Sequence, residues 1–149
     1  MHVLVVSQYF WPENFRINDL VAELVRRRHT VTVLTGIPNY PSGKVFSNYR
    51  RTPDAFDNYE GAKVFRVPML ARGMGGVRLF LNYISFVVGA YVWGPWKLRG
   101  RSFDVIFVFE PSPVTVGLPA ILLGYLKRAP VVFWALDLWP DTLAAIGVV

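Results

Sequence analysis

Four short stretches hold the side chains able to do chemistry, and each follows an apolar run. In Asn14-Phe15-Arg16, the guanidinium of Arg16 offers a bidentate grip on a phosphate or carboxylate. A helix starting there adds free N–H groups and the positive end of its dipole. The competing role for Arg16 is a surface pair with Glu13 or Asp19. Ile37-Pro38-Asn39-Tyr40-Pro41 is a loop stiffened by two prolines. Asn39 brings hydrogen bonds and Tyr40 a flat apolar face, which suits gripping a ring and equally suits a turn with Tyr40 packed as a lid. Glu110-Pro111-Ser112-Pro113 ends an apolar run on a carboxylate. Glu110 either meets a hydroxyl-rich ligand, caps the next helix or pairs with a cation. Ser112 and Thr115 are N-cap candidates. Asp137 closes a further apolar run, with Asp141 four residues on. Two carboxylates can do acid–base work, but Asp141 reads more simply as an N-cap, which leaves Asp137 as the candidate. Trp134 and Trp139 flank it, either to stack on a ligand or to fill the core.

The remaining composition removes whole classes. There is no cysteine among the 149 residues, so disulfide scaffolds and cysteine zinc sites are excluded. Two histidines cannot build a histidine-rich metal site, and no metal is expected. No G-x-G-x-x-G follows the first apolar run, which disfavours a dinucleotide dehydrogenase. Net charge is +6, with cations gathered at Arg26-Arg27-Arg28, Arg50-Arg51, Lys97, Arg99, Arg101 and Lys127-Arg128. Such a surface attracts phosphates or anionic lipid. The alternative is cations placed at helix C-termini by the dipole. Aromatic and basic residues do not interleave in a nucleic-acid motif, so no nucleic-acid partner is expected. The first residues lack the basic and cleavable parts of a signal peptide, and export is not expected.

These stretches need elements to position them. Apolar or β-branched runs at His2–Ser7, Thr30–Thr35, Lys63–Val67, Phe103–Phe109 and Pro130–Ala135 predict five strands. Helical spacing of Ile17, Leu20, Val21, Leu24 and Val25 predicts a helix with Asn14 as N-cap. Val114–Leu126 predicts another, provided it starts near Pro119. Residues 45–60 show no period, Arg72–Gly76 reads as a glycine-rich turn, and Asp137–Asp141 as a loop leading into a last helix. Alternating strands and helices imply an α/β fold, a doubly wound, mostly parallel, Rossmann-like sheet. Its ligand site lies beyond the carboxyl ends of the strands, where all four stretches fall.

Leu79–Trp96 contains no charged residue. Its length reaches the lower edge of a membrane span, but its place between two strands of one sheet demands a crossover helix. It is read as a buried crossover helix. A helix partly on the surface and dipping into a bilayer interface is the other arrangement its flanking cations and tryptophans allow.

Taken together, Val5–Leu20, Val31–Pro41, Glu110–Pro113 and Asp137-Leu138-Trp139-Pro140 resemble bacterial family 4 glycosyltransferases, most nearly the polysaccharide-building branch of the colanic-acid and fucosamine transferases. The resemblance covers nearly the whole chain. It implies that residues 1–149 are the N-terminal, acceptor-side half of a GT-B fold, with the nucleotide-sugar domain and its paired-glutamate motif outside them. It implies a retaining transferase of hexosyl or amino-sugar groups that needs no cofactor or metal. A nucleotide sugar is the co-substrate and a lipid-linked sugar the acceptor. The donor's own phosphate serves as base, and these residues alone give no turnover. It places the protein in the cytoplasm, on the inner face of the cytoplasmic membrane, against an anionic surface. Carried over by position, Asn14, Phe15 and Arg16 approach the donor phosphates, Asp137 lies near the reacting centre, and Asn39, Tyr40, Glu110 and Ser112 line the acceptor side. Two features depart from the family: the first loop lacks a glycine pair, and Arg27-Arg28-His29 stands where relatives often read Arg-Gly-His. The alternative to a transferase half is a stand-alone membrane-docking or ligand-binding module.

Overall fold

Val3–Val6 are apolar at every position, and the chain uses them as the middle of a sheet covered on both sides. The computed structural model describes residues 1–110 and 114–136, with the side chain of Glu110 excepted. Its elements are β1 (His2–Val6), α1 (Arg16–Arg26), β2 (Thr30–Gly36), α2 (Ser47–Arg51), a 3-10 turn (Pro53–Phe56), β3 (Asn58–Tyr59), β4 (Ala62–Val67), α3 (Gly76–Lys97), β5 (Val105–Glu110), a second 3-10 turn (Val114–Val116), α4 (Gly117–Lys127) and β6 (Val131–Ala135). The sheet order is β3-β4-β2-β1-β5-β6. All pairings are parallel except β3 with β4. The sheet is therefore the expected mostly parallel, Rossmann-like one. The short antiparallel β3 comes from residues without a legible period.

Period-two alternation sorts the strand side chains between two cores. Leu4, Val6, Leu34, Val67, Ile106 and Val108 meet α3 and α4 on one side. Val3, Val5, Val31, Val33, Val64 and Phe109 lie on the other, with Ile17 and Val21 of α1. From β1 the chain winds outward through β2 and β4, then returns to place β5 and β6 on the opposite flank of β1. The winding reverses between β1 and β5, so their carboxyl ends frame the crevice where such sheets bind ligands.

Helix ends differ from the sequence expectation in an instructive way. Asn14 does not cap α1: the cap position is Phe15, with no side-chain hydrogen bond, because the helix begins one residue later and Asn14 stays exposed. Thr115 does not cap α4 either, since it lies within a 3-10 turn. That turn lets Pro119 fall in the first turn of α4, where its missing N–H does no harm. Beyond the other end of α1, Arg28 has φ +63°, a left-handed residue where glycine is unstrained. Arg28→Gly is expected to raise stability by about 0.5–1 kcal/mol, checked by the urea midpoint. An unchanged or lower midpoint would show that arginine is not strained there.

The apolar segment Leu79–Trp96 is a crossover helix, as expected, but only one side of it is buried. Asn82, Phe86, Gly89, Ala90 and Gly94 face the sheet. A Cβ on Gly89 would collide with the carbonyl of Pro68, so glycine lets this helix sit against the end of β4. Val77, Leu81, Ile84, Val88, Val92 and Trp96 are exposed on the outer side. The expectation of a buried helix fails because nothing among the described residues covers that side.

Candidate functional site

On the β2 side of β1 the crevice is walled by three loops, following β1, β2 and β4, and the joints of that wall are polar groups hidden from water. Glu13 is the first. It is 3% exposed, and its carboxylate reaches across from the β1 loop to the β2 loop. One oxygen accepts from the backbone N–H of Asn39 at 2.7 Å and of Tyr40 at 2.6 Å. The other accepts from the N–H of Phe10 at 3.2 Å. Burial pushes its pKa above the ordinary carboxylate value, while these N–H groups and the charge of Arg66 pull back. Glu13 is therefore not a surface partner for Arg16. Among the described residues Arg16 makes no ion pair, and it stands exposed at the start of α1.

Asn18 holds the β1 loop from the other side. Its amide accepts from Trp11 N–H at 3.2 Å and donates to the carbonyl of Glu13 at 2.7 Å. Arg66, buried in β4, donates to the carbonyls of Gly36, at 2.9 Å, and Trp11. Burial lowers its pKa from the free arginine value. Neither Asn18 nor Arg66 stood out in the sequence. Strand parity held the signal for Arg66, which shares the face of Ala62 and Val64, both buried.

The third joint ties α3 to the crevice. Asn82 is fully buried. Its Oδ1 accepts from Gln8 Nε2 and from the Tyr9 hydroxyl, both at 2.8 Å, and its Nδ2 donates to the carbonyl of Leu70 at 2.6 Å. Burial pushes the Tyr9 phenol up to about 12, with Arg72 acting in the opposite direction.

Asn39 has a different part from the one its type suggested. It is fully buried; its Nδ2 donates to the carbonyl of Ile37 at 2.8 Å and its Oδ1 accepts from Arg72 N–H at 2.7 Å. Its side chain shapes the loop instead of projecting into the crevice. Gly43, at φ +70°, completes that turn, and a Cβ there would strike the carbonyl of Arg72.

On this frame stands a cluster of rings. Tyr9 and Phe15 stack at 5.6 Å between centroids, and Tyr40 tilts against both, at 5.4 and 5.1 Å. The guanidinium of Arg72 lies 5.3 Å from the centre of the Tyr40 ring. Tyr40 is half-buried, both packed on the core and open at its rim. Beside it a cleft of about 310 Å³ runs between Pro41–Gly43 and Arg72–Gly75. Half-buried Phe15 and Tyr40, backed by buried Tyr9 and with Arg72 against Tyr40, can stack on a sugar face and hold a phosphate. Of the remaining candidates, β5 delivers Glu110 to the same end of the sheet, and its side chain lies outside the described residues. Ser112, Asp137, Trp139 and Asp141 lie outside them too.

Known proteins agree with this architecture. A family model described as a glycosyl transferase 4-like domain matches residues 14–147. Curated proteins searched with the sequence give no match. Among solved structures, the glycotransferase of kitacinnamycin superposes with a TM-score of 0.62 at 15% identity, covering 97% of this chain and 34% of that one. The calicheamicin glycosyltransferase CalG4 gives 0.62 at 17%, covering 98% and 37%. The C-terminal domain of a Pyrococcus furiosus hydrogenase, PF1911, gives 0.60 at 11%, covering 89% and 90%. The chain spans about a third of the length of the two transferases. The hydrogenase domain shows that such a sheet alone does not fix chemistry. The family match covers nearly the whole chain, and with it the chain belongs to the glycosyl transferase 4-like family, in the Rossmann-like fold of GT-B glycosyltransferases.

Proposed function

We propose that this domain is the acceptor side of a retaining glycosyltransferase, of the colanic-acid and fucosamine type, that builds surface polysaccharide. In this reading a hexosyl or amino-sugar group passes from a nucleotide sugar to a lipid-linked glycan at the inner face of the cytoplasmic membrane. The nucleotide sugar is held mainly by a second domain outside residues 1–149. The observation that carries the reading is the ring cluster Tyr9–Phe15–Tyr40, held at the strand ends and bordered by Arg72, with exposed Arg16 next to Phe15 in the chain. A sugar acceptor presents flat C–H faces and hydroxyls, which rings and guanidinium groups recognise. Arg16 and the uncapped start of α1 form the edge facing the donor phosphates.

The domain supplies position in this mechanism. Rings and cations fix the acceptor so that its hydroxyl oxygen bonds the donor's sugar carbon as the bond from that carbon to the phosphate oxygen breaks, and the departing nucleotide's phosphate takes the hydroxyl proton. Asp137 is carried as a polar group near the reacting centre, and Glu110 and Ser112 as acceptor contacts. No metal or other cofactor is required.

The test is binding of a water-soluble analogue of a pyrophosphate-linked sugar, followed by saturation-transfer NMR. The chain is expected to bind it, and Tyr40→Ala to weaken binding roughly tenfold. Incubation with a nucleotide sugar is expected to give no transfer. A chain that transfers sugar unaided would overturn the division of labour. An analogue that binds equally well to Tyr40→Ala would remove the ring cluster from the site.

A further inference from the structure

The outer side of α3 inverts the usual rule for a surface helix. Val77, Leu81, Ile84, Val88, Val92 and Trp96 recur at helical spacing along one exposed stripe. A surface helix ordinarily shows charged residues there. The helix carries only two charges, Arg78 and Lys97, one near each end. On the same side of the sheet α4 packs against α3 and exposes Leu118, Ile121 and Tyr125, next to exposed Val114 of the preceding 3-10 turn. Exposed apolar surface of this extent marks a contact with something else.

Two observations identify what covers it. First, the stripe runs into a basic pocket. At the C-terminal end of α3 a hollow of about 550 Å³ is lined by Phe65, Trp96, Lys97, Arg99, Gly100 and Arg101. Arg99 stacks on Trp96 and Arg101 on Phe65, so Trp96 belongs to both stripe and pocket. None of the three cations makes an ion pair among the described residues, and no carboxylate lines the hollow. Lys97 and Arg101 also border the adjoining hollow, where Asp54 and Asp57 lie with Lys63 and Arg66, so cations outnumber carboxylates there as well. Second, both ends of the stripe are positive. Two copies packed stripe to stripe, in either direction, bring like charges together. A surface with anionic headgroups satisfies both ends at once.

We propose that α3 lies flat in the interface of an anionic phospholipid bilayer, with its outer stripe among the upper acyl chains and a headgroup phosphate in the Lys97–Arg99–Arg101 pocket. The helix is roughly 33 Å long, enough to span a bilayer. Its sheet-facing side is occupied, so it rests on the membrane and does not cross it. Its N-terminal half carries Asn82, which is bonded to the floor of the crevice, so docking holds the crevice beside the bilayer surface. The inference deepens the reading of a lipid-linked acceptor and rests on it.

Co-sedimentation with extruded vesicles tests it, using phosphatidylcholine alone and phosphatidylcholine mixed with phosphatidylglycerol. The chain is expected to bind the mixed vesicles, less so as salt rises, and the neutral ones weakly. The triple variant K97Q/R99Q/R101Q is expected to lose on the order of a hundredfold on mixed vesicles. If it melts below the parent, Arg99→Gln alone is expected to lose about fivefold. V88S/V92S is expected to weaken binding to both vesicle types, since both residues are exposed and their loss leaves the core intact. Failure of the chain to bind mixed vesicles, or equal binding by these variants, overturns the proposal. So does a dimer in solution that V88S/V92S dissociates. The vesicles contain neither donor nor acceptor, so such a failure leaves the transferase reading standing. Loss of soluble-acceptor binding with vesicle binding intact overturns only that reading.

Discussion

Glu13→Ala is expected to lower stability by about 3–5 kcal/mol, seen as a fall in the urea midpoint. Three backbone N–H groups, those of Phe10, Asn39 and Tyr40, lose their acceptor in a region closed to water. Arg66 also loses one of the groups, with Tyr49 and Asp57, that offset its own burial. Glu13→Gln keeps a carbonyl oxygen for Asn39 and Tyr40, and its cost is about 1–2 kcal/mol. The two variants also part with pH. Because the folded carboxyl has a raised pKa, the folded chain holds a proton that the unfolded chain has released. Stability therefore falls as pH rises through that window. The window opens near 4.5, where the unfolded group titrates, and closes once the folded group has ionised. Glutamine has no proton to lose, so the decline vanishes in Glu13→Gln. An alanine variant as stable as the parent, or a glutamine variant with the same decline, would show that Glu13 is not the joint described.

The second large effect is expected at Asn82. Leucine is nearly its size and suits its apolar helix, so sequence alone reads the change as mild. In the fold, Asn82→Leu strips partners from Gln8 Nε2, the Tyr9 hydroxyl and the Leu70 carbonyl together. The expected loss is about 2–4 kcal/mol. For a chain of this size that lowers Tm by roughly 5–15 °C. A scanning-calorimetry trace within a degree or so of the parent would refute the role given to Asn82.

Asn82 and Glu13 also show where sequence reading stops. The alternation of apolar runs revealed five of the six strands, because a strand covered on both faces must be apolar throughout. Two-residue β3 left no period to find. The helix at 76–97 was legible as a crossover from its place between strands. Its exposed side was not, because an uncharged helix gives no angular contrast between the side that meets the sheet and the side that does not. At the crevice, Arg16 and Tyr40 became candidates by residue type and by position after a strand. Glu13 entered only as a surface partner for Arg16, whereas two of its partners are 26 and 27 residues away. Asn39 was taken for a ligand contact because its type suits one, and burial reversed that.

Three joints of the crevice share a trait that Asn82, bonded to the side chains of Gln8 and Tyr9, does not. Glu13 receives the amides of Phe10, Asn39 and Tyr40. Arg66 reaches the carbonyls of Gly36 and Trp11, and Asn39 the amide of Arg72. Each grips main chain, which every residue type but proline supplies in full. The side chains of Tyr40, Trp11 and Arg72 are thus interchangeable as far as these joints are concerned. Substitution of those side chains changes what the crevice presents while Glu13, Arg66 and Asn39 keep the loops where they are, so apart from Tyr9 the groups that face the crevice and the groups that hold it are separate residues.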